Sequence, residues 1–316
     1  MSSEQPARAT TKRKNGGKKN GPRVLVVYKK SALQTNVRER KNEHITKLVE
    51  AGHRSVSRMR EAHDAHVGTL EETKDALDAL GVRSSFRFRG DDELVEEFDL
   101  VVTVGGDGTL LWAARWVGAH TPVVAINSAP GDSVGHFCAG LKGDVKTTLA
   151  AAIEGELRAA RLTRMMVTID GEVVSRRILN DALFSHVCPA ATSRYLVTHQ
   201  RGDGAVSEEH KSSGVWIGPA AGSTAAQLSA GGRVLPPQSR RLQFVVREPY
   251  LPPEGSYQLV RGLVEPEGAF EVVSKMREAR VYLDGPHQAH DVRWGTHVRF
   301  ERSEDSLQLL GFPRGH

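Results

Sequence analysis

The stretch "VVTVGGDGTLLWAAR", Val101 to Arg115, constrains this chain more than any other. A run of β-branched residues ends abruptly in Gly105, Gly106 and Gly108, with Asp107 among them, and a helix-like apolar run follows. Glycines at the C-terminal end of a strand let backbone N–H groups approach a polyphosphate with no Cβ in the way. The N-terminus of the next helix adds a favourable dipole. The P-loop spacing G-x-x-x-x-G-K-[ST] is absent, as is the full G-x-G-x-x-G dinucleotide fingerprint. Asp107 is the odd member. A carboxylate beside phosphates is unwelcome unless it binds a cation or accepts a proton from an attacking hydroxyl, and both belong to phosphoryl transfer. On these residues alone two readings stand: a phosphate loop with a working carboxylate, or a tight turn with a structural aspartate.

The flanking pattern gives the fold class. "RVLVVY", "FDLVVTVG" and "PVVAIN" are short continuous apolar runs, as in strands covered on both faces, and "SSFRFR" alternates. "TLEETKDALDAL" places Leu70, Leu77 and Leu80 roughly on one face and ends at Gly81, where a helix C-cap glycine belongs. Residues 23–160 therefore read as an α/β domain with a parallel sheet. The texture then changes. "MMVTIDGEVVSRRI" reads as strand, Asp170-Gly171 turn and strand, and further strand runs continue to the end, so residues 161–290 read as a mostly antiparallel β domain. Residues 291–316 form a C-terminal segment, with a return to the α/β domain as one course for it.

The net charge of +5 is local. Residues 1–23 hold seven Lys/Arg against Glu4, a local charge of +6, so the rest of the chain carries −1. A body so close to neutral argues against specific nucleic-acid binding. The tail, residues 1–22, is expected to be disordered and to serve as a solubilising arm, with weak polyanion binding and targeting as the alternatives. No run approaches membrane-spanning length, and Cys138 and Cys188 are too few for a disulfide framework, so a cytoplasmic home is expected. His287-x-x-His290 lacks further ligands at metal spacing. Arg201-Gly202-Asp203 reads as a hairpin turn, and Trp112 and Trp116 as helix-face packing. Lys29 and Lys30 end the first strand and read as solvated lysines, with phosphates before them as the alternative; His63 and His66 read as surface residues, and Arg240-Arg241 as a phosphate anchor or an edge salt bridge.

"GGDGT" resembles the signature shared by NAD kinases, diacylglycerol and sphingosine kinases, and phosphofructokinases. "LNDALFSH" (Leu179 to His186) resembles the NAD kinase Asn-Glu motif, with Asp181 for the usual Glu. "GPAAGSTAAQLSAGG" (Gly218 to Gly232) resembles that family's Thr-Pro-Thr-Gly-Ser-Thr-Ala-Tyr segment, and Asp284-Gly285 is a weaker echo. Three matches in order, over residue 23 to the C-terminus, resemble the ATP-dependent NAD kinase family. "INSAPGDSVGHFCAG", "CPAATSRY" and "AAGSTAA…SAGG" look more like the plant peroxisomal NADH kinase and mitochondrial-type branch than the common bacterial enzymes.

The resemblance implies the NAD kinase/diacylglycerol kinase-like fold, and transfer of the ATP γ-phosphoryl to the 2′-hydroxyl of the adenosine ribose of NAD+ or NADH. Asp107 would be the general base. Gly106, Gly108 and Thr109 would contact ATP phosphates, and Mg2+ would come with ATP, with a contact to Asp107 left open. Asn180 and Asp181 would hold the ribose and adenine region, with Thr224, Ala225 and Ser229 around the adenine. Ser213 stands where the family has an aspartate near the nicotinamide. Loss of that charge predicts substantial NADH use. The family also implies a homodimer or a dimer of dimers. The rivals are a lipid kinase of the same superfamily and a noncatalytic NAD(H) sensor.

Overall fold

Val24 to Val27, Val101 to Val104 and Val123 to Ile126 form strand interiors with no solvent face, as continuous apolar runs require. In the computed structural model, residues 21–91, 97–201, 204–250 and 256–312 are described. The basic tail through residue 20, Gly202 and Asp203 of the Arg-Gly-Asp sequence read as a hairpin turn, and the last four residues lie outside them.

The N-terminal part runs β1 (Arg23–Tyr28), α1 (Glu43–Glu50), α2 (Met59–Ala79), β2 (Arg83–Phe88), β3 (Leu100–Gly105), α3 (Asp107–Ala114), β4 (Val123–Asn127), β5 (Gly140–Leu141), α4 (Val145–Glu154) and β6 (Ala159–Leu162). Its sheet has the order β2-β1-β3-β4, followed by the late strand Leu307–Leu310 and then β6, with β5 pairing β4. All pairs from β2 to Leu307–Leu310 are parallel, and only β6 is antiparallel. The chain leaves β1 for β2 on one side and reaches β3 on the other. That reversal is a topological switch point, where α/β sheets open a crevice at the C-terminal ends of their strands. Helix α2 ends as its sequence predicts, with Gly81 left-handed at φ 65°.

The second part is two six-stranded antiparallel sheets sharing one apolar core. Phe184 and Phe244 from one sheet meet Tyr195, Phe270 and Phe300 from the other, with the Phe244 and Phe270 rings stacked at 4.3 Å. The Asp170-Gly171 turn has positive φ at both residues, as a two-residue hairpin demands. The α/β plus antiparallel β class read from the sequence is the observed one.

A buried ionic network joins the two parts. Fully buried Arg164 donates to Asp305 (2.9 Å) and to the Val117 carbonyl (2.9 Å), while Arg177 donates to Asp305 (2.7 Å) and the Trp116 carbonyl (2.8 Å). Burial pushes the Arg164 guanidinium down to about 10 despite Asp305, so it stays charged at neutral pH. These cations face the carbonyls just beyond the C-terminus of α3, the end that attracts positive charge.

Two surface expectations are corrected. His63 and His66 are buried, on the face of α2 turned toward the sheet. His63 Nδ1 meets the Ser31 hydroxyl at 2.7 Å. His66 Nδ1 meets Ser128 Oγ at 2.8 Å, and its Nε2 meets the Lys29 carbonyl at 2.6 Å. Burial is the main cause that pushes His66 down to about 4, so near neutral pH Nε2–H donates and Nδ1 accepts. Arg241 makes the edge salt bridge, to Glu265 at 3.0 Å.

Candidate functional site

The glycines of "GGDG" serve close approach. A Cβ at Gly105 would lie 2.1 Å from Thr109 Oγ1, and one at Gly106 would lie 2.2 Å from Ser133 Oγ. The loop thus closes tightly enough for α3 to begin one residue after Gly106. Thr109 is buried with its hydroxyl turned inward and unpartnered, while Gly108 is exposed. Helix α3 is apolar nearly all round, so it is enclosed. Leu110 and Ala113 pack with Phe137, Leu179 and Ala221, one residue from each of the chain segments described next or adjacent to them.

Asp107 opens α3, and its carboxylate is already engaged. Oδ2 accepts the His136 N–H at 3.0 Å and Oδ1 the Phe137 N–H at 3.1 Å. A carboxylate has about four acceptor positions, so two remain for a hydroxyl. The residues it fixes form a wall: the Phe137 and Phe312 rings stack at 5.8 Å, and His136 lies edge-on to both. Opposite that wall stand Ala221, Thr224 and Leu235 of the second part, and the space between is a cavity of about 660 Å³.

Asn180 and Asp181 sit in a turn held from beneath by Asp284. The Asp284 carboxylate accepts the N–H groups of Leu179 (3.0 Å), Asn180 (2.7 Å) and Asp181 (3.2 Å). Burial pushes Asp284 up, against those three donors and Arg115. Arg115, at the end of α3, donates to the Asp284 carbonyl at 3.0 Å, which ties the turn to the helix that begins with Asp107. Asn180 Nδ2 donates to Asp181 at 2.7 Å. Burial first, and the Asp284 charge second, push the Asp181 carboxyl up to about 7.

The glycine-rich loop is shaped to receive that turn. A Cβ on Gly222 would lie 1.6 Å from the Asn180 carbonyl oxygen, and one on Gly218 would lie 2.4 Å from it. Ser223 is buried and works within the loop, donating to the Ala220 carbonyl (2.6 Å) and accepting the Leu235 N–H (2.9 Å). Thr224 is exposed on the cavity, Ala225 is half-buried beside it, and Ser229 is exposed at the end of a short helix, Ala226–Ser229.

Ser213 lies in the bend between the strands Gly204–Ser212 and Val215–Pro219, before the start of the strand whose far end carries Gly218. Its hydroxyl hydrogen-bonds the Glu248 carboxylate. The argument that Ser213 leaves its surroundings without a negative charge is therefore corrected, because Glu248 supplies one at the same spot.

Sequence reasoning passed over His136, Phe137 and Phe312, and treated Asp284 only as an echo. Phe137 and Phe312 lie 175 positions apart in sequence, and Asp284 meets a turn more than a hundred positions away, so no local pattern joins them. The one available signal was Asp284-Gly285 at a strand end.

A family model described as ATP-NAD kinase N-terminal domain matches residues 23–157. A protein named "Probable NADH kinase" from Oryza sativa subsp. japonica is 34% identical over 233 residues, covering 68% of this chain and 72% of its own length. A protein named "NADH kinase" from Arabidopsis thaliana is 35% identical over 234 residues, covering 68% and 74%. Among solved structures, an NAD kinase from Archaeoglobus fulgidus in complex with ATP is similar in fold, with TM-score 0.62 and 22% identity over 92% of this chain and 94% of its own. Yeast NADH kinase complexed with NADH gives TM-score 0.65 and 18% identity over 94% and 85%.

Proposed function

The chain belongs to the ATP-dependent NAD kinase family, and from that premise we propose how its residues divide the work of phosphorylating NAD(H). It is an NAD(H) kinase, forming NADP(H) with a nucleoside triphosphate as donor. The observation that carries the assignment of roles is Asp107 at the junction of two spaces: the glycine loop on one side, and on the other the cavity whose wall its own oxygens hold. In this reading the cavity takes the adenosine end of the dinucleotide against Phe137 and Thr224. Asn180 and Asp181, with Ala225 and Ser229 near the same loop, bind its ribose and base. Asp107 orients the 2′-hydroxyl and accepts its proton, and Gly106 and Gly108 face the donor phosphates while Thr109 fixes the loop. Mg2+ enters as part of the donor substrate. The chemistry then needs alignment and charge neutralisation more than covalent participation.

NADH is proposed as a substrate alongside NAD+. Support comes from the two plant relatives named as NADH kinases, not from the charge at Ser213. A homo-oligomer, the dimer or dimer of dimers that the family resemblance implies, belongs to the same proposal. No described helix is long and apolar enough to cross a membrane, and the two cysteines are unpaired, in keeping with a cytoplasmic enzyme. The test is purified protein with Mg-ATP and either dinucleotide, with product read by an NADP-specific coupled dehydrogenase. Product from both is expected. Bound dinucleotide without product would favour the sensor reading, and a kcat/KM strongly favouring NAD+ would remove NADH.

Asp181 gives a pH signature. Its carboxyl changes charge near pH 7, and an ionised carboxylate is the stronger acceptor for a ribose hydroxyl. KM for the dinucleotide should therefore fall as pH rises through about 7, and the profile should be flat in Asp181→Asn. An unchanged profile in that variant would remove Asp181 from the binding site. Linkage to folding has the opposite sign. The folded pKa lies above the ordinary value near 4, so Asp181's contribution to stability is present below about pH 4 and lost as pH rises toward 7.

A further inference from the structure

We infer that Lys29, which lines a basic cleft, and Arg89, which stands at the glycine loop, hold the phosphates of the donor at the switch point of the parallel sheet; this rests on the kinase reading above. Lys29 follows the last residue of β1, and its N–H points to the Val104 carbonyl of β3 at 3.4 Å. Arg89 follows the last residue of β2, and its N–H donates to the Tyr28 carbonyl of β1 at 2.8 Å. Both cations therefore leave the sheet at its C-terminal edge, alongside the strand that ends in Gly105. Arg89 Nη1 lies 3.3 Å from the place a Cβ on Gly108 would occupy, so the guanidinium is at the glycine loop itself.

Neither cation has an anionic hydrogen-bond partner among the described residues. Neighbouring Lys30 does: it pairs with Glu39 at 3.0 Å and lies over the Phe88 ring. Lys29 is held below its ordinary value by burial and then by the Arg89 charge, with Asp132 opposing, and burial lowers Arg89. Two adjacent half-buried cations with no hydrogen-bonded carboxylate among the described residues are costly, and an anion between them offsets that cost. The backbone that carries Lys29 is also fixed, since His66 links its carbonyl to Ser128 at the end of β4.

A cleft of about 350 Å³ extends from Lys29 past Ser31 and Asp132 to Arg54 and Arg58, where α2 begins, and Arg89 lies outside its lining, at Gly108. No aromatic side chain lines it, and its cations suit a phosphate chain rather than a base. In the transfer, the bond from the γ-phosphorus to the oxygen bridging to the β-phosphate breaks, and a bond to the ribose 2′-oxygen forms. The hydroxyl proton passes to Asp107, and the nucleoside diphosphate leaves with its charge facing Lys29 and Arg89.

The experiment compares Lys29→Gln, Arg89→Gln and Arg89→Lys with wild type and with Lys30→Gln as a surface control. KM for Mg-ATP should rise about 10- to 100-fold in the two Gln variants, the loss expected for a charge-assisted hydrogen bond. KM for the dinucleotide should hold, Arg89→Lys should recover part of the loss, and Lys30→Gln should match wild type. Calorimetric binding of inorganic tripolyphosphate should weaken in the same order, with thermal melting checking the fold. NADP(H) formation with an unchanged KM for ATP in both Gln variants would overturn the inference and leave the kinase reading standing. If wild type forms no NADP(H), the kinase reading fails and the tripolyphosphate titration decides alone: binding lost in both Gln variants upholds the cleft, and binding retained overturns it.

Discussion

Asp107→Asn should lower kcat for NADP(H) formation by about 10²- to 10⁴-fold, the range for removing a positioned general base. The amide keeps the size of the side chain but cannot take the hydroxyl proton. It also presents an NH2 group to one of the two backbone N–H groups, of His136 and Phe137, that the carboxylate now accepts. KM for the dinucleotide should therefore rise modestly, because the aromatic wall of the cavity loses one of its two ties, while KM for the donor changes little. Steady-state kinetics on both substrates separate the two contributions. A fall in kcat of less than about tenfold would make Asp107 an anchor for residues 136–137 and no base.

Asp284→Ala is expected to have the largest effect on stability. It strips the acceptor from three backbone N–H groups at Leu179, Asn180 and Asp181, and Leu179 and Asp181 are buried. Each buried donor left unpaired costs about 1–3 kcal/mol, so a loss on the order of 4 kcal/mol is expected in denaturant unfolding. Dinucleotide binding should weaken with it, since of the bonds tying Asp284 to the turn that presents Asn180 and Asp181 only the one from the Asp284 N–H to the Asp181 carbonyl (2.9 Å) survives the substitution. Asp284→Asn should be milder and diagnostic. It removes the charge that helps raise Asp181, so the inflection near pH 7 should move down. Unfolding of Asp284→Ala within about 1 kcal/mol of wild type would show that the turn is held by packing against Gly218 and Gly222 instead.

Much of this architecture is legible in the sequence. Continuous apolar runs ending in "GGDG", "IN" and "KK" mark buried parallel strands whose C-terminal ends share one edge. Asp170-Gly171 marks its hairpin, and Gly81 its helix end, because these residues have conformations that few others adopt. Other positions resisted such reading for a common cause. His63 and His66 read as surface residues because "EAHDAH" is polar, yet each is buried with a hydrogen-bond partner from a different segment. Lys29 looks like any lysine at the end of a strand until Arg89, 60 positions later, is seen beside it.

The sequence by itself determined the backbone: where strands stop, where glycine is obligatory, and that a carboxylate opens α3. These are local properties, fixed by a residue's own steric limits and by hydropathy over a few neighbours. Only the tertiary structure decided which groups face each other: Asp284 under the Asn180 turn, Asp107 against the His136-Phe137 wall, Glu248 beside Ser213, and Lys29 beside Arg89 at the glycine loop. Those pairings span from 29 positions to more than a hundred. They are closed by burial of apolar surface over whole sheets, a force without direction that carries no mark in any short stretch of chain.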